Sequence, residues 1–181
     1  MPNLIRGNEL AEDAWQVLTA DSEIDELPVG DIIVPLTLWR APRDALLARA
    51  GRVGLWLECD DEPEEIADDV ESLPLIAVNF PTFSDGRAVS SAVLLRGRSG
   101  FKGELRAVGD VRRDWLSYMR RCGFDAYQMA SEQEARSAID SLVVMSDYYQ
   151  GSVVEPSPLF RRVQRSWAEA PSEPQELRAR R

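Results

Sequence analysis

Residues 75–129 read LIAVNFPTFSDGRAVSSAVLLRGRSGFKGELRAVGDVRRDWLSYMRRCGFDAYQM. Three short apolar runs, Leu75–Asn79, Glu104–Val108 and Phe124–Met129, alternate here with two amphipathic helical patterns. Short apolar runs bounded by turn residues read as buried strands, and their alternation with helices implies a parallel sheet covered by helices. Polar residues collect where each run gives way to its helix: Asn79, Asp85, Gly86 and Arg87, then Gly109, Asp110, Arg112 and Arg113. Parallel α/β proteins bind ligands at the carboxyl ends of their strands, so this rim is where function is expected.

Two further units precede the stretch. Ile32–Leu36 leads to a helix entered at Pro42 and closed by Gly51, since proline suits a first turn and glycine a left-handed exit. Val53–Cys59 leads to a helix with Pro63 in its first turn and Ile66, Val70 and Leu73 on one face. The acids Asp60, Asp61, Glu62, Glu64 and Glu65 surround that helix start, where the macrodipole favours negative charge. They lack EF-hand spacing. Ser84 or Asp85 is expected to cap the third helix. Asp110 is expected to cap the fourth, with Trp115, Tyr118 or Met119, and Cys122 as its stripe. Ser131 and Glu134 form a capping box for the fifth, whose apolar face is Ala135, Ala138, Ile139 and Leu142.

Five units are too few for an eight-stranded barrel, which needs about 200 residues or more. The expected fold is α/β: a parallel sheet of about five βα units, open and doubly wound or partial-barrel-like. A short extended lead-in (residues 1–18, turning at Gly7-Asn8) and an acidic loop (19–30) come first. One domain is expected over residues 1–150. From Gly151 the chain turns Pro- and Arg-rich, and its last dozen residues are expected to be disordered.

Composition excludes more than the motifs suggest. There is no histidine, which removes His-based general catalysis, His metal sites and Ser-His or Cys-His pairs. Lys102 is the only lysine among the 21 basic residues, so a Schiff-base mechanism has one candidate, in a loop. Cys59 and Cys122 fall on opposite rims of the expected sheet, beyond disulfide reach, and two isolated cysteines build no zinc or iron–sulfur site. No metal site is expected. Neither G-x-G-x-x-G nor G-x-x-x-x-G-K-[ST] occurs, so no nucleotide cofactor is supported, and no cofactor is expected. No apolar run reaches the roughly 18 residues of a membrane helix, and the N-terminus lacks a signal-peptide core; a cytoplasmic protein without membrane contact is expected. The net charge of −10 disfavours nucleic acid. Residues 1–80 carry 18 acids and 5 bases and residues 81–125 carry 5 acids and 9 bases, so the basic middle suits a small anion or an acidic protein face.

The loop from Asn79 to Arg87 is the strongest local candidate. Gly86 lets a backbone approach a ligand, the helix start offers free N–H groups, Arg87 adds a bidentate donor, and Asp85 is a base or orients Arg87. The structural alternative has Ser84 or Asp85 capping, Arg87 pairing with a neighbouring acid, and Phe80 and Phe83 packing on the sheet. Arg106 stands in mid-strand, where a parallel strand should be apolar. Either the strand is an edge, or Arg106 meets a polar pocket or an acid, with Asp110 and Asp85 as partners on the same rim. Asn79, Asp85, Gly86, Arg87, Arg106 and Asp110 are therefore the candidate anion or ligand residues.

These motifs carry a resemblance. Phe80, Pro81, Phe83, Asp85, Gly86 and Arg87, then Gly103, Glu104, Leu105, Arg106, Gly109 and Asp110, then Cys122, Gly123, Phe124 and Asp125 resemble the bacterial DUF934 family. The similarity runs over roughly residues 4–165. Where the family continues Gly-Tyr after Asp-Gly-Arg, this chain has Ala88-Val89. The resemblance implies an association with assimilatory sulfite reduction, and so with sulfate assimilation and cysteine biosynthesis. Members are often labelled oxidoreductases, but the residues here supply no flavin, nicotinamide, siroheme or iron–sulfur site. The expected role is an accessory protein that binds a sulfite-reductase component. The alternatives are a small anion-binding domain or enzyme using the Asp/Arg rim, and an interaction module whose tail, Pro156 to Trp167, contacts a partner.

Overall fold

The computed structural model describes residues 3–22, 27–40, 43–145 and 147–162. Five strands run parallel and pair in chain order: β4 (Ile32–Pro35), β5 (Val53–Leu57), β6 (Leu75–Phe80), β7 (Glu104–Gly109) and β8 (Ala126–Gln128). β1 (Leu4–Arg6) and β2 (Glu9–Ala11) form a hairpin about the left-handed Gly7, and β1 pairs antiparallel with β8. β3 (Gln16–Val17) runs parallel to β4 at the other edge. The α/β class and the five-strand parallel core are present. The sheet itself is larger than expected, with eight strands in mixed orientation, because the lead-in adds three short strands.

A doubly wound sheet requires the strand order to reverse at a switch point. Here the order 8-7-6-5-4 never reverses, so each crossover continues in one sense and the helices gather on one face. That face buries Val34, Leu55, Leu57, Ile76, Val78, Phe80, Leu105, Ala107 and Tyr127 beneath Leu95, Leu116, Met119 and Ala135. The opposite face carries a smaller apolar cluster, Ile33, Leu75, Ala77 and Val108, sheltered by Trp15 and Trp56. Eight strands laid flat would span about 34 Å. Yet residues 12–15 join edge strand β2 to edge strand β3, and the five steps from Ala11 to Gln16 reach at most about 18 Å. The sheet must curl, so the partial-barrel alternative describes this molecule.

The helices depart from expectation in detail. The first unit has two short helices, α1 (Leu36–Trp39) and α2 (Arg43–Ala48); Pro42 lies outside the described residues. Gly51 has no left-handed backbone, so it is not the exit expected. Its role is contact: a Cβ there would overlap the Gly30 carbonyl. The helix expected after Pro63 is a 3-10 turn, Pro63–Ile66, although Ile66, Val70 and Leu73 are buried. Asp69 explains the interruption: its buried carboxylate accepts from Trp39 Nε1 at 2.9 Å and pairs with Arg43, fixing this segment by side-chain bonds. α3 (Arg87–Gly97), α4 (Leu116–Arg121) and α5 (Glu132–Ala138) follow β6, β7 and β8. Ser131 caps α5 as its sequence requires, accepting from Glu134 N–H at 3.2 Å. Residues 152–162 fold back onto α4, with Val153 N–H donating to Arg121 O, and end in α6 (Leu159–Arg162). The last dozen residues lie outside the described part. No helix in the described residues is long and apolar enough to cross a membrane.

Candidate functional site

The carboxyl rim is assembled from the ends of β5, β6 and β7. Glu58, just past β5, accepts from Trp56 Nε1 at 2.7 Å and from Asn79 Nδ2 at 2.6 Å. Asn79 is thus a positioned amide rather than a free donor. Gly109 closes β7 at φ 89°, and a Cβ there would overlap the Phe80 carbonyl oxygen and lie 2.5 Å from Asn79 Oδ1. The glycine lets the two strand ends approach, and Asp110 N–H donates to Phe80 O at 2.8 Å.

Asp85, Gly86 and Arg87 form one cluster. Asp85 accepts from Arg87 Nε at 3.0 Å and Nη2 at 2.6 Å, and from the Arg87 backbone N–H at 3.1 Å. It therefore both orients Arg87 and satisfies an N–H of the first turn of α3, one residue ahead of the N-cap Gly86. The other end of Arg87 pairs with Asp60. Gly86 has ordinary right-handed dihedrals, and a side chain there would meet open space. Cys59 is buried beside this cluster, and burial raises its thiol pKa, with Arg87 opposing. Such a thiol stays protonated at neutral pH.

Asp110 is not a helix cap. Its carboxylate accepts from Arg112 Nε at 3.0 Å and from Phe83 N–H at 3.0 Å, tying the loop after β6 to the loop after β7. The Arg112 guanidinium first, and the Phe83 N–H second, hold its pKa below the usual carboxylate range. Arg112 also lies 4.3 Å over the Phe83 ring. Phe83 meets Trp115 edge-on at 6.3 Å, and Trp115 meets Tyr118 edge-on at 5.9 Å. Phe83 is 38% and Tyr118 51% exposed, so this is a surface strip and Phe83 does not pack on the sheet. Of the expected stripe Trp115, Tyr118 or Met119, and Cys122, Trp115 is half-buried against the core and Met119 and Cys122 are buried, so only the Tyr118 alternative falls outside it. The spacing of Arg112, Trp115 and Tyr118, three residues apart, is the sequence signal that sets them side by side, with Arg112 and Tyr118 exposed about the half-buried Trp115.

Arg106 stands apart from all of these. β7 lies between β6 and β8, so it is no edge strand. Arg106 is 1% exposed on the sheet face opposite the helices. Its Nε donates to Glu104 Oε1 at 2.8 Å and its Nη1 to Asp13 Oδ2 at 2.8 Å. Nη2 lies 2.8 Å from the same Glu104 oxygen without hydrogen-bond alignment. Glu104 also accepts from Arg6 Nε at 2.7 Å. The partners expected, Asp85 and Asp110, are not those found. Strand alternation turns Arg106 toward the inner face, where the segment crossing between β2 and β3 delivers Asp13. The structure thus unites Asp85, Gly86 and Arg87, flanks them with Asn79 and Asp110, and assigns Arg106 to a different network.

Among the described residues, no group of three or more Cys, Asp or Glu side chains is arranged to hold a metal ion. A family model described as "Bacterial protein of unknown function (DUF934)" matches residues 54–160, a span that contains all six candidates. No curated protein and no solved structure matches the chain.

Proposed function

Because this chain belongs to the DUF934 family, we propose that it is a cytoplasmic accessory protein of assimilatory sulfite and sulfate reduction, serving cysteine biosynthesis. It acts by docking a sulfite-reductase component, not through a redox cofactor of its own. The observation that carries the binding role is the strip Arg112–Phe83–Trp115–Tyr118, in which Arg112, Phe83 and Tyr118 are exposed around a half-buried Trp115. Aromatic residues and arginine dominate the energetics of protein interfaces, since they bury large rigid area at small entropic cost. The strip is fastened at Asp110, so it is held ready for a partner.

An anion site or small enzyme at the same rim is the weaker reading. Arg87 already holds Asp85 and Asp60, and Arg112 already holds Asp110, so an incoming anion must compete with resident carboxylates. Tagged full-length protein from sulfate-grown cells should recover a sulfur-assimilation enzyme, and Arg112→Glu with Tyr118→Ala should lose it. Recovery of none, with normal growth of a deletion strain on sulfate, overturns the proposal. Calorimetric heat with sulfite or sulfate that disappears in Arg87→Ala would favour the anion site.

A further inference from the structure

At the other end of α4 lies a cleft that the rim does not involve. Arginines withdrawn from solvent elsewhere hold acceptors: Arg49 takes two backbone carbonyls, Arg96 three and Asp125, Arg106 two acids, and Arg162 two acids. Arg120 is half-buried, and among the described residues it has neither a carboxylate nor any other hydrogen-bond acceptor. Its neighbour Arg121 lies 4.3 Å over the Tyr148 ring and donates from Nη2 to Gln150 O at 3.2 Å, while its buried Nε has no acceptor. The helix dipole explains why cations suit the last turn of α4. It does not explain two guanidinium groups lining one concave surface.

The surface between α4 and the returning segment opens into a cleft of about 160 Å³, lined by Arg120, Arg121, Leu142, Met145, Tyr148 and Ser152 among others. A wider one of about 530 Å³ shares Arg120, Val154 and Glu155 with it and extends toward Gly7 and Asp125. The wider cleft is of small-ligand size and the narrower one is not, so a ligand lying across Arg120 and Val154, which line both, would use the two together. The acids along these walls are engaged elsewhere: Glu155 by Arg162 and Asp125 by Arg96. They leave Arg120 uncompensated. Ser117 Oγ and Tyr148 OH, 2.6 Å apart, add hydroxyls to the narrower cleft, whose remaining walls are largely aliphatic.

We propose that this cleft binds a small organic anion, an oxyanion head (carboxylate, phosphate or sulfonate) on Arg120 and Arg121 with an apolar body against Leu142, Met145 and Val154. Guanidinium groups bind such heads through charge-assisted hydrogen bonds, and the aliphatic wall rewards an attached apolar group.

The probe is 1-anilinonaphthalene-8-sulfonate, titrated by fluorescence into the full chain, with N-phenyl-1-naphthylamine as its uncharged counterpart. Saturable one-to-one binding of the sulfonate is expected, at least about tenfold tighter than the neutral amine. Arg120→Gln should weaken it about tenfold or more, Arg120→Lys should retain part of it, and Arg98→Gln, at an exposed arginine elsewhere, should change nothing. Displacement by benzoate, phenyl phosphate or benzenesulfonate identifies the head group. Equal binding of the neutral amine, unchanged binding in Arg120→Gln, or displacement by none of the three overturns the proposal. The partner-binding reading of the rim is tested separately and survives that failure.

Discussion

Arg106 ties an inner strand of the sheet to the segment that links its two edges through a single side chain. It is buried in β7, yet it reaches Asp13 on the segment that bridges the sheet edges, and Glu104 two residues away. Removing one partner of a buried ion pair leaves an uncompensated charge, whereas an apolar replacement of both is often tolerated. Arg106→Met should therefore lower stability by about 3 kcal/mol in urea unfolding. Adding Asp13→Leu should recover most of that loss. A single variant within about 0.5 kcal/mol of the wild type would show that the network does little. The oddness of Arg106 was legible, because a charge in an apolar strand run needs a partner. Which acid answers it was not: Asp13 lies 93 residues away in sequence, on a segment placed only by the curl of the sheet. Asp85 and Asp110 were nearer in sequence but belong to the rim.

At the scale of elements, local signals read well where they act locally. Ser131 and Glu134 announce α5, and Ser131 caps it. Ser131→Ala should cost about 1 kcal/mol of stability, while Ser84→Ala should cost nothing measurable, since the capping acceptor there is Asp85. Chemical denaturation of the two variants side by side distinguishes them; equal losses would contradict this assignment. The segment after Pro63 was misread because its apolar spacing is helical, while the bonds of Asp69 to Trp39 and Arg43 hold it as a 3-10 turn and loop. Asp110 was misread for a related reason. It has the chemistry of a cap, but Arg112 and the Phe83 N–H claim its carboxylate, and no local pattern records a bond made 27 residues back.

Over the whole molecule, the five-strand parallel core followed from repeated apolar runs, whereas the three lead-in strands are too short to show periodicity and gain their pairing from tertiary contacts. The same scale governs the pH response. With no histidine, the chain has no side chain that ordinarily titrates near neutrality, so unfolding free energy should change by less than about 0.5 kcal/mol between pH 6.5 and 8. Asp31 and Asp110 have folded pKa values lowered by Arg52 and Arg112, so their contributions exist above the ordinary value of 3.8 and are lost as pH falls through the folded values. Asp125, raised by burial, works the other way, its penalty setting in as pH rises above that value. A steep stability change near pH 7 would contradict this. The proposed docking role rests on the rim strip and is tested most directly by immobilising the full chain and measuring its binding to purified sulfite-reductase components by interferometry. Saturable binding to one component, weakened about tenfold or more by Arg112→Glu with Tyr118→Ala, is the expected result. Binding to none of them, or equal binding by wild type and variant, would contradict it.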